Sequence, residues 1–235
     1  MTASERVPGE AFGDRHTRRL SAGPAPCVGP VIGVLALQGD VLEHLRILEA
    51  VGARALPVKR ADELDALDGL VIPGGESTTI GKLAVMYGLV EPLGRHIAAG
   101  LPVLGTCAGA ILLAGRALHA DGSPSDQPLL GVLDAVVRRN AFGRQVASFE
   151  TQVHISGVAG GPVHVAFIRA PWFEEVGAAV EVLARVDTPV GERAVVVRQG
   201  AVLATSFHPE LTGDDRLHRL FGAMAGEYGG RRRGG

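Results

Sequence analysis

From residue 31 the chain alternates short, unbroken apolar runs with segments whose apolar positions recur every three or four residues. Val31-Ile32-Gly33-Val34-Leu35-Ala36-Leu37 carries no polar side chain, the pattern of a strand buried on both faces in a parallel sheet. Gln38-Gly39-Asp40 then turns into a helix with Val41, Leu42, Leu45, Leu48 and Val51 on its apolar side, closed by Gly52. Further strands are predicted at 55–58, 70–72 and 102–104, with a helix at 76–87. This βαβα order predicts right-handed crossovers and helices on both faces of the sheet. Chemistry in such a fold collects beyond the carboxyl ends of the strands. After Gly131 the pattern changes to strands with short connections, at 132–138, 148–155, 164–168, 180–186, 194–198 and 202–206, which predicts an antiparallel addition to the main sheet. A helix at 216–228 closes the globular part, a single domain over 31–228 without internal repeats.

Outside that domain, residues 1–30 and 229–235 mix Arg, Gly, Pro and Ser without apolar periodicity, and both are expected to be disordered. Composition narrows the function classes. With 46% hydrophobic residues among 235, the chain can bury a large core. A net charge of -2 gives no electrostatic case for nucleic acid or anionic membrane, and 4% aromatic content argues against base-stacking platforms. No apolar run approaches the roughly 20 residues that span a bilayer. The two cysteines, Cys27 and Cys107, sit in contexts too different to suggest pairing, so reduced thiols and a cytoplasmic location are expected.

One of those cysteines lies in Gly105-Thr106-Cys107-Ala108-Gly109, between an apolar strand and an apolar helix. The flanking glycines permit a tight, strained turn, the thiol counterpart of a serine nucleophile elbow. The helix that follows aims its first amides at the sulfur, which favours thiolate and can bind an oxyanion. Far down the chain, Thr205-Ser206-Phe207-His208-Pro209-Glu210 follows another apolar strand. Residues two apart in extended chain project to one side, so Glu210 can orient His208 as a general base for Cys107. Pro73-Gly74-Gly75-Glu76-Ser77 ends a third buried strand on the same edge. Beyond serving as a glycine turn with a helix cap, it can supply an oxyanion donor from Gly75, paired with the amide of Ala108.

Two apparent motifs carry nothing. The stretch from Gly75 to Leu83 resembles a phosphate-binding loop, but its spacing to Gly81 is one residue too long and Leu83 stands where a Mg²⁺-binding hydroxyl belongs. His154 and His164 lie in strand-like runs without a clustered second ligand, so they are assigned to packing or surface. The residues alone leave the substrate of this thiol elbow open, and they are compatible with any cysteine hydrolase built on it or with a noncatalytic binding subunit of the same fold.

Together the three motifs resemble class I glutamine amidotransferases of the Cys-His-Glu type. Leu37-Gln38-Gly39, Pro73-Gly74-Gly75-Glu76-Ser77-Thr78-Thr79, Gly105-Thr106-Cys107-Ala108-Gly109, Arg139-Asn140-Ala141-Phe142-Gly143-Arg144-Gln145, Phe167-Ile168-Arg169-Ala170-Pro171 and Ser206-Phe207-His208-Pro209-Glu210-Leu211-Thr212 are similar to the glutaminase-subunit family of pyridoxal 5′-phosphate synthases. The resemblance implies an α/β, three-layer flavodoxin-like fold with a mostly parallel central sheet and a small antiparallel addition. It implies Cys107 as nucleophile, His208 as base and Glu210 as its orienter. Gly75, Glu76, Ser77, Arg139, Ile168 and Arg169 would hold glutamine, the arginines taking its α-carboxylate. It also implies a (β/α)₈-barrel synthase partner that receives ammonia through a tunnel, and no cofactor on this chain. Two departures, the N-terminal extension and an enlarged loop at 120–127, touch none of the motifs.

Overall fold

The computed structural model describes residues 29–142 and 148–234. Apart from Gly29 and Pro30, the extension expected to be disordered lies outside the described residues, as do Cys27, Gly143, Arg144 and Gln145.

In chain order the elements are β1 (Val31–Leu35), α1 (Val41–Ala50), β2 (Arg54–Val58), β3 (Gly69–Ile72), α2 (Ser77–Met86), α3 (Val90–Ala98), β4 (Val103–Thr106), α4 (Ala108–Leu113), β5 (Ala114–Leu118), β6 (Leu133–Arg138), β7 (Ser148–Val153), β8 (Val163–Ile168), β9 (Trp172–Val176), β10 (Glu181–Val186), β11 (Arg193–Gln199), β12 (Val202–Thr205) and α5 (Arg216–Gly234). They build a ten-stranded sheet in the order β2-β1-β3-β4-β12-β11-β9-β6-β5, with β10 on β11, and a separate two-stranded sheet of β7 and β8. From β2 to β12 neighbouring strands are parallel. The antiparallel addition starts where β11 pairs β12 and continues through β9 to β6.

Alternation along the strands sends side chains into two cores, one per face. Leu35, Leu70, Ile72 and Val103 pack with Ile80 and Ala84 of α2 and with Leu93 and Ile97 of α3. Ile32, Val34, Val71 and Leu104 pack on the other side with Leu48 of α1 and with Leu217, Phe221 and Ala225 of α5. Covered on both faces, β3 and β4 are buried at every position, which explains why their sequences are apolar apart from Thr106 at the end of β4. The three-layer, mostly parallel arrangement expected from the sequence is the one observed.

Four elements depart from expectation. α3 was not foreseen, because Pro92 and Gly94 interrupt a segment whose Val90, Leu93 and Ile97 are helically spaced. β5 and β9 were missed as well. The fourth departure is the C-terminal segment expected to be disordered, which continues α5 as helix to Gly234. It is held by tertiary contacts. Asp68, fully buried, accepts hydrogen bonds from Arg233 Nη1 at 3.0 Å and Arg232 Nη2 at 3.4 Å, while Arg232 Nη1 donates to Asp65 O at 2.6 Å.

Candidate active site

The carboxyl ends of β1, β3, β4 and β12 each deliver one motif to the same edge. Leaving β4, the chain enters α4 through Cys107, whose φ of 47° and ψ of -102° lie outside the regions ordinary residues favour. The strain falls on the cysteine itself, at the centre of the tight turn that the flanking glycines were expected to permit. Gly109 makes room: a Cβ there would overlap the carbonyl oxygen of Ile72 at the end of β3. The Cys107 N–H donates to Thr205 O of β12 at 2.8 Å, tying the turn to the neighbouring strand. α4 has only six residues, so the sulfur faces the free amides of a first turn more than a long-helix dipole.

β12 carries the base. Its continuation is fixed by a bridge to β8, in which His208 N–H donates to Ala166 O at 2.8 Å. His208 Nδ1 lies 2.7 Å from Glu210 Oε1 and 3.2 Å from Asp40 Oδ2, and the Cys107 sulfur lies 4.0 Å from Ile168 O. Burial alone would depress the imidazolium. Interactions with Asp40, Cys107 and Glu210 outweigh that and push its pKa up to about 12. Asp40 is held below the usual carboxylate range by its hydrogen bond to His208, against some burial. Glu210 is raised by burial, with the His208 ring opposing. Asp40, His208 and Glu210 are also the one group among the described residues whose ligand-type atoms lie within 4.8 Å of one another. Here they are bonded to each other, with Nδ1 between the two carboxylates.

From β3, Gly75 adopts φ 150° and Glu76 caps α2, its carboxylate accepting from the N–H groups of Thr78 and Thr79. The Glu76 N–H donates to Gln38 Oε1 at 2.7 Å, which links this turn to the loop after β1. Arg139 Nη2 donates to Glu76 Oε1 at 3.1 Å. Ser77 Oγ donates to Gln127 Oε1 at 3.0 Å, so the loop at 120–127 does touch a motif, contrary to expectation.

These pieces surround a cavity of about 360 Å³. Gly75, Glu76, Ser77, Cys107, Ala108, Arg139, Ile168, Arg169 and His208 all line it, and Glu210 sits behind His208. The non-glycine residues with positive φ among the described residues are Cys107, Asn140 (46°) and Arg169 (44°), and all three line this cavity. Such backbone conformations persist only where surrounding structure imposes them, and they gather at functional sites. Sequence reasoning missed Asp40 and Ile111 in the lining. It also missed His44, buried against Glu210, whose signal was a histidine one helical turn before the core residue Leu48. His164 pairs with Glu150 on the surface, 3.0 Å away, and neither it nor His154 lines the cavity.

Similarity to known proteins agrees with this geometry. The model of the SNO glutamine amidotransferase family matches residues 34–226. Pyridoxal 5′-phosphate synthase subunit PdxT of Frankia alni is 63% identical over 193 residues, which cover 82% of this chain and 94% of that protein. The PdxT of Streptomyces coelicolor is 59% identical over 195 residues. A solved structure described as a glutamine amidotransferase superposes with a TM-score of 0.76 at 52% identity, covering 83% of this chain and 98% of that one. The chain belongs to the SNO glutamine amidotransferase family.

Proposed function

We propose that the chain is the glutaminase subunit of a pyridoxal 5′-phosphate synthase, hydrolysing L-glutamine to L-glutamate and ammonia that is used in making the cofactor. The names of its high-identity relatives support the pathway. The observation that carries the site assignment is the convergence of Cys107, the His208–Glu210 pair and two arginines on one cavity.

In this reading the proton rests on His208 and the Cys107 sulfur attacks the side-chain amide carbon of glutamine as thiolate. The amides of Gly75 and Ala108 receive the oxyanion. Collapse of the tetrahedral intermediate breaks the C–N bond, with His208 giving its proton to the departing nitrogen, so that ammonia leaves and a γ-glutamyl thioester remains. Water then attacks the thioester while His208 takes its proton, and glutamate and the thiolate are released. Glu210 keeps the imidazole oriented throughout. Glu76, Ser77, Arg139, Ile168 and Arg169 hold the amino acid, with a guanidinium on the α-carboxylate; Arg139 leaves Glu76 or is shared with it when glutamine enters. The partner is a (β/α)₈-barrel synthase subunit that takes up the ammonia through a tunnel, and the complex works in the cytoplasm. No helix among the described residues is long and apolar enough to cross a membrane.

The test is turnover in the presence of the synthase subunit. Cys107→Ala is expected to abolish ammonia release from glutamine while still assembling with the synthase; turnover at the unsubstituted rate sinks the triad. Pyridoxal phosphate formed from glutamine and sugar phosphates by the mixture establishes the pathway, and failure to form it with glutaminase intact assigns the ammonia to another acceptor.

A further inference from the structure

Behind the base lies a buried polar chain that the proposed reaction has not yet used. Glu210 has two carboxylate oxygens. Oε1 takes the His208 Nδ1–H at 2.7 Å, while Oε2 is buried without a hydrogen bond of standard geometry and faces His44 Nε2 at 3.4 Å. Both side chains of that contact are fully buried. The same His44 Nε2 lies 3.1 Å from Thr106 Oγ1, the residue preceding the nucleophile. On its other side, His44 Nδ1 lies 3.0 Å from His218 Nε2 of α5, also fully buried.

The tautomers follow from pairing. If His44 carried its proton on Nδ1 and donated to His218 Nε2, then His218 would carry its own on Nδ1, which is buried and has no partner. The bare lone pair of His44 Nε2 would also point at the Glu210 carboxylate. In the opposite arrangement His218 Nε2–H donates to His44 Nδ1, and His44 Nε2–H is shared by Thr106 Oγ1 and Glu210 Oε2. Every N–H of both rings is then used, and the unpartnered His218 Nδ1 is an acceptor only. A buried donor left unpaired is the costlier defect, so the second arrangement is the stable one. Burial, with His218 and His208 nearby, disfavours charge on His44, which therefore acts as a neutral donor.

The helix that carries His44 reaches the base from both sides. Asp40, its N-cap, places Oδ2 on His208 Nδ1 from the cavity side. His44, one turn later, meets Glu210 from the core side. We propose that His44 is a positioning residue of the triad: its Nε2–H, directed by His218, holds Glu210 Oε2 and thereby fixes the carboxylate that orients His208. This rests on the triad assignment above. At 3.4 Å the contact is long; it shortens in the reaction, since hydrogen bonds of catalytic groups tighten in the reacting complex.

Two polar substitutions separate positioning from packing. Glutamine places an amide N–H near the site of Nε2, and asparagine reaches only the site of Nδ1. In the complex with the synthase, His44→Asn is expected to lower kcat for glutamine on the order of ten-fold, with KM within about two-fold, as for loss of an interaction made in the transition state. His44→Gln is expected to stay within about three-fold of the unsubstituted kcat. Nitrogen-15 chemical shifts of histidine-labelled free chain are expected to show His44 protonated on Nε2. Unchanged kcat in His44→Asn, equal losses in both variants, or an Nδ1–H tautomer each overturns the proposal, and the last holds whatever the variants do to folding. Cys107→Ala distinguishes the levels: if it is inactive while both His44 variants are normal, the triad stands and only the role of His44 falls.

Discussion

Deleting residues 229–235 removes seven positions that composition alone marks as dispensable, yet the structure predicts a measurable loss of stability. Asp68 is fully buried. Its partners are the Val31 N–H, at 2.9 Å, and the guanidinium groups of Arg232 and Arg233. Stripping the partners from a buried carboxylate costs about 3–5 kcal/mol. Two effects reduce that here. The arginine side chains are 39% and 56% exposed, so solvent already screens them, and removal of the helix end admits water to the carboxylate. A net cost of about 2 kcal/mol follows, which for a chain of this size lowers Tm by roughly 4–8 °C. The assay is thermal melting of four proteins: full-length, truncated, Asp68→Asn, and the two changes combined. In the full-length chain Asp68→Asn frees two half-exposed arginines and costs about 1 kcal/mol. In the truncated chain it removes a poorly compensated charge and is neutral or stabilising. The signature is therefore non-additivity within the cycle. If the truncated chain melts with the full-length one, or if Asp68→Asn costs the same in both backgrounds, the tail is not clamped through Asp68.

Three further outcomes follow. Gly109→Ala forces a Cβ into the carbonyl oxygen of Ile72; α4 must shift, and glutaminase kcat is expected to fall by roughly 10²-fold through displacement of Cys107, whereas activity within a few-fold shows that the turn can yield. Arg139→Ala and Arg169→Ala are expected to raise KM for glutamine at least about ten-fold with a smaller change in kcat, since carboxylate binding is made before and during reaction alike; a kcat loss at constant KM would move the arginines to the chemistry. His218 supplies the pH dependence: burial lowers its pKa from 6.5 to about 4, Asp215 opposing. Between those values the unfolded chain binds a proton that the folded chain does not, so stability declines as pH falls through 6.5 and the decline ends near 4. The loss is on the order of 3 kcal/mol. Denaturant unfolding at pH 7 and pH 4.5 should show a smaller difference for His218→Gln than for the unsubstituted chain, and equal differences refute the assignment.

What the sequence made legible were the parts of the site that chemistry confines to short segments. The nucleophile sits at a strand-to-helix turn, and its base and orienter lie two residues apart just after one strand, where Pro209–Leu211 form a 3₁₀ turn in place of the extended run expected, so Cys107, His208 and Glu210 each announce themselves locally. The main sheet was legible for a similar reason: a strand covered on both faces, such as β3, has no polar position to disguise it. The parts that were hidden depend on partners distant in the chain. Leu42, expected on the apolar side of α1, is 60% exposed, and the core side is taken instead by His44 and Leu48. A histidine there is stable only because Glu210, Thr106 and His218 meet it. The helical end of α5 is invisible for the same reason, since its Gly and Arg residues have low intrinsic reason to be ordered and Asp68 supplies it.

That division bears on how the site is held. Cys107, Asn140 and Arg169, which line the cavity, hold strained backbone conformations with φ of 47°, 46° and 44°, and a strained turn keeps its geometry only if its neighbours cannot relax. The supports come from elements remote in sequence: Thr205 O on the Cys107 amide, Ala166 O on the His208 amide, Gln38 on Glu76, and Gln127 on Ser77. Most of these are single hydrogen bonds between separate elements, so each turn is anchored to a different strand or loop and not to its own. Substitution of a support should therefore disturb one motif at a time. Gln127→Ala leaves the Ser77 hydroxyl without its acceptor while Cys107, His208 and Glu210 keep all of theirs, and the expected result is a change in KM for glutamine with the alkylation rate of Cys107 unaltered. A parallel fall in both would mean that the turns move as one body.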